Sequence, residues 1–495
     1  MVFGLLLKVS ESRGRANMID NIRVAYPYFT SITAFDPQNI QTNAEANLAR
    51  NLYSRLIEFD AEGNVQPSLA SSVFVDGGVI TLSIRNHLHT IDGLRISAED
   101  VVNTLMMIVK KDSTTHGSLK ELLGITRNED LSAFIWSKGD NVFMRPLEPS
   151  NVEFIVPLLA STDYSILPKR SLVHLSDSKI ADFRNTSGIY FVERDSSDGK
   201  LVLRINPNHF DYSVSAPQSI ELVPAYRNKA LDLFVAGEVD FITTINSSST
   251  SEISEIQKKI PGARTRETLG IRLLSLRTTE IARARHTPEQ LLYAGEKIRQ
   301  ALLEADTSIR AEEITDQLFP SLGEGHLSDD MLKKLMKRKQ EVLADQNNAP
   351  KKPYVVAVGV SELAKYKSMY SSLPFVEVKA YEKAPWVLPP EDQPDGYLID
   401  ADSSFFESYS LLSYNFARGY FGSPDEGRSW LRNYVSTGDK QRRIKALQEL
   451  HLSILQNGLI VPVVFAKYHI VIRSPFDFEI SKFYAGTKLW KIHRQ

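Results

Sequence analysis

The chain contains no cysteine among its 495 residues. That excludes a disulfide framework, a thiolate metal site, a cysteine nucleophile and a lipid-bearing N-terminal cysteine, and leaves the compartment open. It also lacks an excess of either charge: 58 Lys and Arg stand against 60 Asp and Glu, a formal net charge of −2. A chain so balanced carries no broad phosphate-neutralising surface, so no nucleic-acid partner is expected. Glycine (25) and proline (23) are too few for a collagenous or low-complexity protein. No stretch approaches the ~20 apolar residues that span a bilayer. The longest apolar candidates are Val2–Leu7 and the run from Gly458 to Ala466, which Pro462 interrupts. Val2–Leu7 lacks the basic start and the length of a secretory signal, so it reads as the stump of one or as a frayed start.

Catalytic signatures are missing as well. There is no GxxxxGK[ST], GxGxxG, HExxH or GxSxG. The ten histidines are scattered, and the only close pair, His87 and His89, reads as solvated strand residues around Leu88 with no third metal ligand in reach. No cofactor and no metal are expected, and the chain reads as a non-enzyme. One lesser alternative is a carboxylate-dependent hydrolase. Asp400 and Asp402 lie two apart on an extended segment, about 6–7 Å between equivalent atoms, near glycosidase spacing.

What is present is a mixed pattern of elements. Ile22–Ala25 reads as a strand, and Leu48, Leu52, Leu56 and Phe59 are spaced for one face of a helix from Asn43 to Phe59. Asp76-Gly77-Gly78 turns a hairpin between Val73–Val75 and Ile80–Arg85, and Ile189–Arg194 with Lys200–Ile205 form a second. Ser97-Ala98-Glu99-Asp100 is a capping box that starts a helix at Ala98. Leu231–Ala236 with Gly237 reads as a short helix, and Thr287-Pro288-Glu289-Gln290 caps a longer one. The helical stretch Leu327–Leu343 bears Lys333, Lys334, Lys337, Arg338 and Lys339, expected as a solvated face. Tyr354–Val360, a helix from Glu362 and Val376–Tyr381 make a β-α-β unit, and the strand Gly396–Ile399 ends in Asp400 and Asp402. Lys440–Gln456 is helical, with Ile444, Leu447, His451 and Leu455 on one stripe, and Val461–Ile472 is strand-like. Hairpins early and strand–helix alternation late predict an α/β protein with more than one lobe.

Several blocks occur in a telling order. Asn51-Leu52-Tyr53-Ser54-Arg55-Leu56-Ile57-Glu58 precedes Gly63 and Val65-Gln66-Pro67-Ser68-Leu69-Ala70, the Asp76-Gly77 hairpin, Ser83-Ile84-Arg85, Asp92-Gly93 and Ser97–Val102. Ile166-Leu167-Pro168-Lys169, Thr186-Ser187-Gly188-Ile189-Tyr190, Gly237-Glu238-Val239-Asp240 and Ile298–Leu302 follow, and Lys440–Leu455 with Ile460–Val463 closes the set. This ordered set resembles the extracellular solute-binding proteins typified by the oligopeptide- and dipeptide-binding components of ABC importers. The resemblance runs from about residue 36 to 472.

The resemblance implies an α/β two-lobed periplasmic-binding-protein clamp, hinged, with an extra small domain. Residues 20–52, 168–264 and 461–495 would build lobe I, 53–167 the small domain and 265–460 lobe II. The implied role is an importer's solute-binding protein that captures oligopeptides between its lobes and passes them to a membrane permease. A periplasmic monomer is expected. In the family an aromatic residue stands three positions before an aspartate that accepts a peptide α-ammonium. Tyr397 and Asp400 match that pattern, and Asp402 is a possible substitute. Tyr26 and Phe29, after the first strand, and Tyr414 are further candidate cleft residues, with core or rim roles left open. Two departures stand out: Ser403 follows Asp402 where the family commonly has Asp-Pro, and Pro394 offers no cation for a peptide carboxylate. They leave an alternative in which the same fold binds a sugar, opine, metal chelate or haem.

Overall fold

Turn and cap chemistry sets the element boundaries in the computed structural model. It describes residues 18–26, 32–40, 43–60, 64–111, 118–125, 130–175, 179–196, 199–225, 227–246, 256–306, 309, 311–319, 324–381, 388–402, 408–417, 419–478 and 487–495. Gly77 and Gly78 take φ of +54° and +76° between the strands Ala70–Asp76 and Val79–Ile84, the region where a side chain would be strained. Ser97 N–H and Oγ–H donate to Asp100 Oδ2 at 2.8 and 2.7 Å, and Asp100 N–H donates back to Ser97 Oγ at 3.3 Å. That aspartate version of the capping box opens the helix Ala98–Lys111. Thr287 and Gln290 close the expected reciprocal pair, with Pro288 in the first turn of Pro288–Ala305.

The chain divides into two compact units, residues 1–270 with 468–495, and residues 271–467. The chain leaves the first within the strand Ala263–Thr278 and returns within Ile460–Arg473.

In the first unit, strands run in the order Tyr190–Asp195, Leu201–Ile205, Ser219–Pro224, Ile22–Tyr26, Phe241–Asn246, then the end of Ile460–Arg473. Ile22–Tyr26 is parallel to both neighbours, with Ile22 opposite Ile220 and Val24 opposite Phe241. Ile22, Val24, Ala25 and Tyr26 are all buried, as a strand covered on both faces requires. A separate antiparallel sheet orders Ala70–Asp76, Val79–Ile84, Asn141–Met144 and Ile135–Lys138. One face buries Ile80, Leu82, Val142, Met144 and Ile135, and the helix Ala98–Lys111 packs on this sheet.

In the second unit the order is Val376–Tyr381, Tyr354–Gly359, Gly396–Asp402, then Ala263–Thr278. The first three are parallel, and the fourth runs antiparallel to its neighbour. Leu276, Leu291, Ile298, Val356 and Val461 form a core between this sheet and Pro288–Ala305.

Three expectations are corrected. The helix predicted over Asn43–Phe59 ends at Leu52, and Ile57–Phe59 is a strand paired with Val65–Pro67. Distant partners claim the backbone beyond Leu52. Ser54 N–H donates to Ser187 Oγ at 3.0 Å, Leu69 N–H to Arg55 O at 3.0 Å and Ala70 N–H to Leu56 O at 3.0 Å. His87 and His89 sit outside the named strands, on the turn that follows Val79–Ile84. Lys339 is not solvated: it is 5% exposed, with Nζ 2.5 Å from Glu296 Oε1 and 2.6 Å from Asp316 Oδ1. Lys333, Lys334 and Lys337 are exposed as expected. Among the described residues, no helix is long and apolar enough to cross a membrane, and no group of three His, Cys, Asp or Glu residues is placed to hold a metal.

Candidate functional site

The candidate site rests on the strand Gly396–Asp402, and its first task is to hold that strand in register. Thr279 does so at the start, its N–H donating to Asp395 O at 2.9 Å and its Oγ1–H to Pro394 O at 2.6 Å. Asp395 is fully buried, and its Oδ2 accepts from Val355 N–H at 2.8 Å. Arg285 Nη1 lies 3.4 Å from Oδ1, and His286 Nε2 stands 3.8 Å away, an electrostatic rather than a hydrogen-bonded approach. Burial alone would raise the Asp395 pKa. His286, the Val355 N–H and Arg285 outweigh it and hold the carboxyl below its ordinary value. Gly396 is required by space: a Cβ there would meet Tyr354 Oη at 2.5 Å and Arg277 O at 3.2 Å.

From this anchor the strand runs antiparallel to Ala263–Thr278, with Tyr397 opposite Arg277, Asp400 opposite Leu274 and Asp402 opposite Arg272. It runs parallel to Tyr354–Gly359, which is parallel to Val376–Tyr381. Asp400 and Asp402 therefore lie at the carboxyl edge of three parallel strands, the edge outside which open α/β sheets take their ligands. A carboxylate in a water-poor site there favours a cation. The backbones of Asp400 and Asp402 are described; their side chains lie outside the description.

The remaining candidates fall in different places. Tyr397 is 5% exposed, and its ring meets Tyr420 edge-on at 6.2 Å. Burial, then Tyr420, pushes its phenol well above the ordinary range, so it stays neutral. Tyr414, partly buried on the helix Ser408–Ala417, meets Tyr420 at 6.3 Å. Tyr397 and Tyr414 thus join one aromatic cluster in the second unit, through Tyr420. Tyr26, in the first unit, is 3% exposed, and its hydroxyl donates to Ala44 O, which ties the first strand to the helix Asn43–Leu52. Phe29 lies outside the described residues.

Sequence reading missed three members of the cluster, Arg277, Asn415 and Tyr420. Arg277 is 3% exposed, with Nη1 donating to Asn415 Oδ1 at 2.8 Å and its guanidinium carbon 4.8 Å from the Tyr420 ring centroid. The available signal was the strand's own alternation: Leu274 and Leu276 are apolar on one face, with Ser275 and Arg277 on the other.

The signature blocks of the first unit also meet in space. Ser54 Oγ–H donates to Ser187 O at 2.8 Å, Ser187 Oγ–H to Ile166 O at 2.5 Å and Gly188 N–H to Leu52 O at 2.8 Å. His209 Nδ1 accepts from Asp211 N–H at 3.1 Å, so its Nε2–H donates to Ser54 Oγ at 2.9 Å. Burial lowers the His209 pKa to about 3, consistent with this neutral tautomer. These blocks fasten segments 50–56, 166–169 and 186–190 together.

No family model matches the chain. Over 246 residues it is 23% identical to the periplasmic oligopeptide-binding protein OppA of Salmonella typhimurium, covering 47% of this chain and 44% of that protein. Over 241 residues it is 25% identical to the probable deoxycholate-binding periplasmic protein YgiS of Escherichia coli, covering 46% and 44%. The matched stretch thus spans under half the length of these curated relatives. Among solved structures, the ABC-transporter-associated binding protein DppA of Helicobacter pylori, in complex with the peptide STSA, superposes with a TM-score of 0.74 at 16% identity. That match covers 98% of this chain and 99% of DppA. The fold is that of the periplasmic solute-binding proteins, an α/β architecture, and the resemblance carried by the sequence blocks is borne out.

Proposed function

We propose that this chain is the solute-binding component of an ABC importer and that it captures short peptides. The observation that carries the reading is the likeness along 98% of the chain to a binding protein solved with a peptide. Asp400, at the carboxyl edge of its sheet, is the proposed partner of the peptide α-ammonium, with Tyr397 and Asp402 beside it on the same strand. In this reading residues 265–460 are the second lobe, residues 53–167 form the small extra domain, and the protein works as a periplasmic monomer that hands its solute to a permease. Both curated relatives are named as periplasmic proteins.

Isothermal titration with a mixed set of tri- to pentapeptides, on the native chain and on Asp400→Asn, tests this. Loss of one charge-assisted contact in a buried site costs about 2–3 kcal/mol, or roughly thirty- to a hundredfold in affinity. Peptide binding that Asp400→Asn leaves unchanged would remove Asp400 from the site. A second reading, a non-peptide solute in the same fold, is supported by Pro394 and Ser403 and by a relative named for deoxycholate. Heat with a bile acid, sugar or chelate and none with any peptide would establish it.

A further inference from the structure

We infer that the second unit holds a buried site for a small monovalent anion, of halide size, between Arg277 and Ser275. The argument starts from an unbalanced charge. The Arg277 guanidinium stays protonated at any working pH. It is 3% exposed and pairs with no carboxylate among the described residues. Its contacts are the Asn415 oxygen at 2.8 Å and the face of Tyr420 at 4.8 Å, while Tyr397 and Tyr414 stand near enough to act on its charge. Arg283, whose Nη1 donates to Gly419 O at 2.9 Å beside Tyr420, is faced by its own carboxylates, Glu280 and Glu426, and so supplies no counter-charge to Arg277. An uncompensated buried cation costs several kcal/mol, which an amide oxygen and a ring face offset only in part.

Two buried donors mark where the counter-ion belongs. Arg277 Nε has no hydrogen-bond partner, and neither does Ser275 Oγ, in a fully buried side chain. They are two residues apart on the same face of Ala263–Thr278, so their Cα atoms are about 6.5–7 Å apart. A guanidinium N–H and a hydroxyl that can turn its O–H toward the same point are the kind of donors that hold a chloride. A water molecule would satisfy the N–H and leave the charge. Burial of both donors favours a small ion over a carboxylate-bearing solute. The site shares Tyr397 with the proposed solute contacts, but Arg277 and Ser275 stand opposite Tyr397 and Ile399, on the strand face away from Asp400 and Asp402, so the assignment does not depend on what the solute is.

Thermal unfolding in chloride, bromide and gluconate at constant ionic strength tests it. Halide is expected to raise Tm by a saturating step of about 2–4 °C over gluconate. Arg277→Gln is expected to abolish the step, and Ser275→Ala to shift it to higher halide. As a readout that needs no variant, crystals of the unsubstituted protein grown in bromide are expected to show an anomalous peak in contact with Arg277 Nε. Equal Tm in the three salts, or a water in place of the bromide peak, would overturn the assignment.

Discussion

Gly188 N–H donates a 2.8 Å hydrogen bond to the carbonyl of Leu52, and a Cβ on Gly188 would lie 2.3 Å from the carbonyl carbon of that same residue. The contact is backbone against backbone, so no side chain can move aside. It holds the end of the helix Asn43–Leu52 against the strand Tyr190–Asp195 and gives the Thr186-Ser187-Gly188 block its physical meaning.

Gly188→Ala is therefore expected to destabilise the first unit by about 3 kcal/mol, at the upper end of overpacking costs. Gly438→Ala, an exposed position with nothing within 4 Å of its Cβ, is the matched control and should be close to neutral. Thermal melts of the two variants check this; equal melts would mean that the chain near Leu52 yields.

Acid should destabilise the second unit through His451. This histidine is fully buried; its Nε2 accepts from Leu318 N–H at 2.9 Å, and its Nδ1–H donates to Gly325 O at 2.9 Å. Burial lowers its pKa from 6.5 to about 3. The fold thus favours the neutral ring. Its contribution is complete above pH 6.5, declines as the pH falls and is gone below about 3, where both states carry the proton. His451→Gln is expected to be less stable at pH 7.5 and to show a shallower stability slope between pH 6.5 and 4. His209 acts with the same sign in the first unit, so the slope there should persist in the variant.

Asp395→Ala is expected to cost about 3 kcal/mol, because it leaves the Val355 N–H without its buried acceptor and removes the carboxylate beside Arg285. If Gly396–Asp402 presents the solute contact, this variant loses solute affinity as well, although Asp395 stands at the opposite end of the strand. Urea unfolding and solute titration on one preparation separate the two effects. Lost stability with unchanged affinity would place Asp395 in the scaffold alone.

Local chemistry was legible where it is self-contained. The Asp76-Gly77-Gly78 turn, the Ser97–Asp100 and Thr287–Gln290 caps and the Tyr354–Tyr381 β-α-β unit are specified by neighbours in the chain. Prediction failed where a tertiary partner outweighed periodicity. Leu56 and Phe59 kept the helical spacing, yet Ser187, Leu69 and Ala70 hold the backbone groups beyond Leu52. Lys339 shares a basic helix with exposed lysines, and only Glu296 and Asp316, from outside that helix, draw it inside. Arg277 shows the same limit in the site: alternation places it on one face with Ser275, but only Tyr420 and Asn415, from elsewhere in the chain, cover it. His451 was legible as part of an apolar stripe; its neutral state required Leu318 and Gly325.

The central claim is that the solute is a peptide, and the most direct test is mass spectrometry of what acid denaturation releases from the freshly purified protein. The account predicts a ladder of short peptides of mixed sequence, present in the native protein and depleted in Asp400→Asn. A single non-peptide species, retained equally by both, would contradict it.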